Sequence, residues 1–184
     1  MKTILTLIST LFYISYLSAQ TYYYDVTKTF QENGYTYQCD VKRSTRVTLY
    51  NKENKLTNTK WTFKDTGEEP PFPYYFDDLE DDTWTKRKSY AIVNDAFSEE
   101  EKQRIKRAKL DICIYINSNT GKVIEVDFIF LATDPLATIP VSVYRKIEVE
   151  LKKNIWFKPT PEGKKMNYLV RTWLQEIGET ILPD

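Results

Sequence analysis

The sequence predicts an α+β fold in which an antiparallel N-terminal strand layer precedes a β-β-α-β unit. Short stretches between residues 20 and 66 alternate apolar with polar residues, which is typical of strands with one buried face. A strongly apolar hairpin pattern follows at residues 109–131, and the run at residues 139–154 fits helical spacing. A chain of 184 residues is long enough to build one domain around one core, so we expect both parts to form one body.

The first 19 residues have the three-part pattern of a secretory signal peptide. Lys2 precedes an apolar stretch from Ile4 to Leu17, and small residues follow it. The stretch is shorter than the ~20 residues that a membrane-spanning helix needs. We therefore predict cleavage between Ala19 and Gln20, which leaves a mature chain outside the cytoplasm with no transmembrane segment.

The composition excludes several classes of function. Basic and acidic residues both total 26, and this balance disfavours nucleic acid or an anionic membrane surface as the main partner. The chain has no histidine, which excludes a Ser-His-Asp triad, a Cys-His pair and a His-ligated zinc ion. It also lacks a Gly-rich phosphate loop, a CxxC pair and a nucleophile elbow. We predict no enzyme activity, no cofactor and no bound metal.

Residues 20–66 are predicted to form the N-terminal strand layer. The stretches "YYYDVTKTF" and "YTYQCDV" flank Asn33-Gly34, which is a strong short-range signal for a β-hairpin. A second predicted pair, "RVTLY" and "KWTFK", surrounds residues 52–54. Together these stretches predict a meander with one apolar side and one wet side.

Residues 67–97 are predicted to be an ordered loop rich in proline, acids and aromatic residues. Three prolines lie between Asp65 and Asp82, and this density excludes a central strand or a helix interior. Residues 98–184 then form a helix and the β-β-α-β unit. Ser98 is the expected N-cap of a short surface helix, with Glu101 as its capping-box partner.

The hairpin predicted next has an apolar face that needs a cover. It pairs "KLDICIYIN" with "KVIEVDFIF" across a turn at residues 118–121. In residues 140–155, five apolar residues fit a helical stripe and five fit strand alternation, so periodicity does not decide between the two structures. We favour a helix, because an exposed two-stranded apolar face needs something packed on it.

The order of these elements resembles the C-terminal domain of TonB-like proteins. The matching features are the hairpin, the amphipathic segment, Trp156-x-x-Pro159, a turn at Gly163 and a last strand at Asn167–Ile177. The resemblance favours the helix at residues 140–154. TonB itself keeps an uncleaved membrane anchor and a long Pro-rich spacer, which this chain lacks. Energy transduction to outer-membrane transporters is therefore not carried over.

What the resemblance implies is a binding edge. In TonB-like domains the last strand can pair with an extended segment of a partner, which is a case of strand addition. The partner-binding residues would then include Tyr168, Arg171 and Trp173 on the last strand. The whole chain also resembles small exported proteins of unknown function from gut Gram-negative bacteria, which implies a location in the periplasm or on the cell surface.

The aromatic residues of the Pro-rich loop form a second candidate binding surface. Tyr74, Tyr75 and Phe76 could receive a peptide or a sugar, since tyrosine and tryptophan dominate binding hot spots. A Pro-rich segment also gives these residues less reason to pack in a core than a strand would.

Cys39 and Cys113 allow two interpretations. An exported protein can carry disulfides, and a bridge here would close a loop of about 75 residues and stabilise the fold by roughly 4 kcal/mol. Both cysteines also suit the role of small buried residues.

Two groups of acids are weighed as chemical sites. The five acids between Asp77 and Asp82 could attract calcium, but the EF-hand spacing is absent and a solvated acidic loop explains them. Glu125 and Asp127 lie on one strand face at a spacing that a glycosidase could use, yet any alternating strand with two acids shows it.

The leading functional hypothesis is an exported, non-catalytic binding module of the cell envelope that pairs a segment of an envelope protein or peptide at a sheet edge. A glycan is the other partner considered. The first alternative is a carboxylate-based glycan hydrolase. The second is a secreted inhibitor that presents the Pro-rich loop to its target.

Overall fold

The computed structural model describes residues 21–43, 45–71 and 77–178, which contain six antiparallel strands, three α-helices and two short 3-10 helices. The strands lie in one sheet in the order β1-β2-β3-β5-β4-β6, which confirms the α+β class. The strands are β1 (Lys28–Glu32), β2 (Tyr35–Lys42), β3 (Arg46–Asn51), β4 (Lys109–Ile116), β5 (Val123–Leu131) and β6 (Leu169–Glu176). The helices are α1 (Trp84–Ala96), α2 (Glu99–Arg104) and α3 (Val141–Asn154).

The first hairpin forms where Asn33-Gly34 predicts it. Both residues have positive φ, 49° and 80°, which is the backbone that a two-residue hairpin turn needs. The N-terminal strands are nevertheless not a layer of their own. β3 pairs with β5 so that Leu49 lies opposite Phe128. Both side chains are fully buried on the same face, and this shared burial joins the two parts into one sheet.

The second predicted hairpin, "RVTLY" with "KWTFK", is wrong. β3 is paired on both sides, with β2 and β5, so it has no edge left for another strand. The chain beyond it crosses over one face of the sheet instead. It reaches the beginning of β6, where Phe63 makes an isolated bridge with Met166 and the indole N–H of Trp61 donates to the carbonyl of Tyr168.

The interpretation of residues 67–97 as a loop is wrong for its second half, because residues 84–96 form α1. Its buried residues follow a helical spacing of four, four and three; they are Thr85, Ser89, Val93 and Ala96. The prolines all precede this segment, so the helix has no breaker inside it.

The capping box of α2 is confirmed. The hydroxyl of Ser98 accepts the N–H of Glu101 at 3.2 Å, and the carboxylate of Glu101 accepts the N–H of Ser98 at 2.8 Å. No residue of α2 is buried, as expected for a surface helix.

The helix at residues 140–154 is also confirmed, as α3, and it covers the hairpin of β4 and β5. Tyr144 is fully buried between the helix and the sheet. Its ring stacks on that of Phe130 at a centroid distance of 5.5 Å and lies 5.1 Å from that of Phe128. The tyrosine hydroxyl donates to the carbonyl of Leu136 at 2.9 Å, so the buried polar group is satisfied.

The segment after α3 packs closely against the turn between β4 and β5. The N–H of Phe157 donates to the carbonyl of Gly121 at 2.9 Å, and a Cβ at Gly121 would lie 1.8 Å from the carbonyl oxygen of Phe157. Pro159 is buried beyond this contact. The side chain of Trp156 is not part of this buried contact, because it is 54% exposed and rests against Trp84. The chain then returns as β6 beside β4.

Candidate functional site

β6 is one of the two outermost strands of the sheet, with β4 as its inner neighbour. The N–H of Ile177 donates to the carbonyl of Ala108 at 3.2 Å. Since main-chain direction alternates along an antiparallel strand, the odd-numbered residues of β6 bond to β4. The N–H and C=O groups of Thr172 and Leu174 therefore point away from the sheet.

The beginning of this outer edge is already occupied. The carbonyl of Tyr168 accepts the indole N–H of Trp61 at 3.0 Å. The carbonyl of Val170 accepts the guanidinium of the adjacent Arg171, also at 3.0 Å. These contacts cover the first third of the strand.

The centre of the edge is open. In the described part of the chain, no main-chain group pairs with Thr172 or Leu174 on the side away from β4. Both residues are exposed, and Leu174 has 55% of its surface in contact with water. A row of unpaired N–H and C=O groups of this kind is a template for another strand.

Of the predicted partner-binding residues, Tyr168 lies away from the open edge. It is 4% exposed, and its hydroxyl donates to the carbonyl of Thr59 at 2.6 Å. Its ring contacts Tyr115 on the same sheet face. Tyr168 thus anchors the segment that crosses the sheet.

Arg171 and Trp173 do lie together, beside the open edge and on the side of the sheet that carries the helices. Arg171 makes a bidentate pair with Asp78, at 2.6 and 3.1 Å. The ring of Trp173 stacks against Tyr90 of α1 at 6.5 Å, and its indole N–H donates to Gln175 at 3.1 Å. Both residues line a cavity of about 230 Å³ between α1 and β6. The other predicted aromatic residues, Tyr74, Tyr75 and Phe76, lie outside the described residues.

The α1 side of this cavity was not predicted. Lys86 and Tyr90 line it from the helix. The helical spacing of the small and apolar residues from Thr85 to Ala96 is the signal that could have found the helix. The proline and acid content of the preceding residues obscured it.

The two carboxylates of the glycosidase alternative are engaged in holding the crossing segment. Glu125 accepts the N–H groups of Lys55 and Leu56 at 2.9 and 2.8 Å. Asp127 is 2% exposed and accepts the hydroxyls of Tyr115 and Thr57, both at 3.0 Å. Burial raises the pKa of Asp127 to about 6. A neighbouring cavity of about 300 Å³ has other walls, and neither carboxylate belongs to them.

The run of acids from Asp77 to Asp82 is tied to basic partners at two points. Asp78 pairs with Arg171, and Glu80 pairs with Lys158 at 2.8 Å. Among the residues that the structure describes, no group of three Cys, Asp or Glu side chains converges as a metal site would require.

Cys39 and Cys113 are both free thiols, so of the two interpretations the disulfide is wrong. Cys39 lies on β2 and Cys113 on β4, and β3 and β5 separate these strands. Three strand spacings amount to about 14 Å, twice the ~7 Å limit between bridged Cα atoms. Burial raises the pKa of Cys39 to about 11 and also raises that of Cys113.

Within the described residues, none of the helices combines the length and the apolar character that crossing a membrane requires.

Comparison with known proteins places the chain in a family. Residues 20–173 match the model of a domain of unknown function, DUF5043. The chain is 43% identical to a DUF5043 family protein from Bacteroides uniformis whose crystal structure is known, over 89% of this chain and 94% of that one, and the two folds superpose with a TM-score of 0.82. No curated protein matches. Sequence and fold agree, and this chain belongs to the DUF5043 family.

Proposed function

We propose that this protein is an exported, non-catalytic binding module that pairs an extended segment of an envelope protein or peptide with the outer edge of β6. The observation that carries the proposal is that, among the described residues, no main-chain group pairs with the outward side of Thr172 and Leu174 on this eight-residue outermost strand. In strand addition, main-chain hydrogen bonds supply affinity and neighbouring pockets supply specificity. The element order β4-β5-α3-β6 resembles the TonB C-terminal unit, whose last strand can pair in this way.

Export to the periplasm or the cell surface is part of the proposal. It is supported by the signal-peptide pattern of residues 1–19 and by a family match that begins at residue 20. Intact-mass measurement of the protein from its host should find a chain that begins at Gln20. A cytoplasmic chain that retains Met1 would contradict export.

The test of strand addition is the substitution Thr172→Pro. The N–H of Thr172 points away from β4, so proline leaves the internal ladder intact while it removes a donor from the open edge. A photo-crosslinker placed at Leu174 in the host's cells should form a discrete adduct with one partner. The yield of that adduct should fall at least tenfold in the Thr172→Pro variant.

The opposite edge offers a matched control, Thr29→Pro. The N–H of Val41 donates to the hydroxyl of Thr27, so the odd-numbered residues of β2 face β1. Because Cys39 lies opposite Lys28, the main-chain N–H and C=O groups of Lys28 face β2. Those of the next residue, the exposed Thr29, therefore point outward. Both variants thus replace an exposed, outward-facing threonine at a sheet edge.

Strand addition at β6 predicts that only Thr172→Pro weakens the adduct, while circular dichroism shows both variants folded. An adduct that survives Thr172→Pro, or that Thr29→Pro weakens equally, would contradict the proposed site.

A further inference from the structure

The cavity beside β6 has the size of one side chain. Its volume of about 230 Å³ is below the ~300–1,000 Å³ of most small-molecule sites. Its walls are mainly apolar and aromatic, formed by Tyr90, Ile114, Phe157 and Trp173. Such walls favour an aromatic guest, since aromatic rings attract each other in edge-to-face and offset arrangements.

The cavity also reaches the open edge of the sheet. Thr172 contributes to its wall, although the side chain of Thr172 faces the opposite side of the sheet from those of Arg171 and Trp173. It is therefore the main chain of Thr172 that borders the cavity. A strand added to β6 would direct every second side chain to the helix side. A residue opposite Arg171 or Trp173 would thus point into the region of the cavity.

The rim of the cavity carries one cation without a described partner. Arg171 is neutralised by its bidentate pair with Asp78, whose carboxylate is mostly buried. Lys86 also lines the cavity and is exposed, and no hydrogen bond or ion pair joins it to another described residue. A carboxylate on the bound segment would complement this charge.

We propose that this cavity is the specificity pocket of the edge site. It takes one aromatic side chain of an extended peptide segment, and an acidic residue two positions along the segment, on the same face, pairs with Lys86. The inference rests on the proposed strand addition and adds to it the chemistry of the partner segment.

The test uses the intact purified protein and capped heptapeptides of alternating threonine and valine in which the third and fifth positions, which face the same side of an extended strand, are varied. Binding is followed by fluorescence anisotropy. The tightest binding is expected for an aromatic residue at one of these positions and aspartate or glutamate at the other. Replacing the aromatic residue by alanine should weaken binding at least tenfold, and replacing the acid by lysine should weaken it about fivefold.

Two substitutions assign these preferences to the pocket. Lys86→Glu should invert the charge preference, whereas Arg87→Glu on the same exposed helix surface should leave it unchanged, because Arg87 does not line the cavity. Ser89→Leu projects into the cavity and should abolish the aromatic preference. If Ser89→Leu fails to fold, the Lys86→Glu result alone decides.

The outcomes separate this inference from the proposed function. Peptides that bind without an aromatic or acidic preference, yet lose binding with Thr172→Pro, overturn the pocket and leave strand addition standing. A preference that Lys86→Glu does not change also overturns it. Binding that is indifferent to Thr172→Pro contradicts strand addition itself, and a failure of all the peptides to bind overturns the inference.

Discussion

Asp127 is a carboxylate almost out of contact with water, and its burial makes the stability of the fold depend on pH. Because burial raises the pKa of Asp127 from 3.8 to about 6, the folded state holds its proton more tightly than the unfolded state does. The free energy of unfolding should therefore fall as the pH rises from about 4 to about 6. The upper limit of this fall is about 3 kcal/mol at roughly 1.4 kcal/mol per pKa unit.

Urea denaturation of the parent protein and of Asp127→Asn across this pH range checks the prediction. The variant carries a neutral amide in the same space, so its stability should lose this part of the pH dependence. The exposed Asp95→Asn is the control and should follow the parent protein. Equal pH profiles for the parent protein and Asp127→Asn would show that Asp127 does not titrate in this way.

Glu148 is a fully buried carboxylate that joins α3 to the N-terminal strands. It accepts hydrogen bonds from the hydroxyl of Tyr37 and the amide of Asn51, and it pairs with Arg145 at 2.8 Å and Lys152 at 3.3 Å. When one member of a buried charged cluster is removed, the remaining groups stay buried without a partner. The resulting loss of stability is usually larger than the net stabilisation that the whole cluster provides.

Glu148→Ala should lower the free energy of unfolding by about 3–5 kcal/mol, because it leaves the Tyr37 hydroxyl and the Asn51 amide buried without their acceptor. The exposed Lys153→Ala on the same helix should change it by less than about 0.5 kcal/mol. In a double-mutant cycle measured by urea denaturation, Tyr37→Phe should cost less in the Glu148→Ala background than in the parent protein. Additive effects would show that the two side chains are not coupled.

At the scale of elements, the turn between β4 and β5 depends on a close approach that only glycine allows. Gly121 and Gly34 both have positive φ, 73° and 80°, but no atom lies within 4 Å of a Cβ built at Gly34. Gly34→Ala should therefore cost only the left-handed backbone penalty of about 1–2 kcal/mol. Gly121→Ala must also displace Phe157 and break its hydrogen bond, and should cost more than about 3 kcal/mol. Thermal unfolding of both variants measures the two losses of stability. Equal losses would contradict a close contact between Gly121 and Phe157 that only glycine allows.

Elements with local signals could be predicted from the sequence. Asn33-Gly34 specifies a turn through its own backbone preferences. The capping box at the beginning of α2 joins Ser98 to Glu101, which is only three residues further along the chain. The prediction of a helix at residues 140–154 needed one further argument, namely that the apolar face of the neighbouring hairpin must be covered. The pairing of β3 with β5 has no local signal, because it depends on contacts about 80 residues apart in the chain.

The candidate site was predicted only in part, because some of its features also depend on contacts between segments that are distant in the chain. Arg171 and Trp173 stand out by residue type on a predicted last strand. The outward main chain of Thr172 depends on the register with β4, which single-strand patterns do not reveal. Lys86 could not be assigned to the site from the sequence, because its position there depends on the packing of α1 over β6.

At the scale of the whole molecule, the continuous sheet makes the N-terminal strands part of the same cooperative unit as the rest. β3 contributes Leu49 directly opposite Phe128, and α3 packs over this region through Tyr144. A domain with one shared core is expected to unfold in a single transition. Two separately packed layers would instead unfold at different denaturant concentrations.

Leu49→Ala tests this cooperativity. The side chain is fully buried, so its truncation should lower the free energy of unfolding by about 2–5 kcal/mol. The four tryptophans all lie outside β1–β3, so tryptophan fluorescence reports on the other part of the molecule. The fluorescence and circular-dichroism midpoints should therefore move together to lower urea concentration, while Thr48→Ala on the opposite face shifts both by much less. A fluorescence midpoint that stays in place in Leu49→Ala would show that β1–β3 unfold as a separate layer.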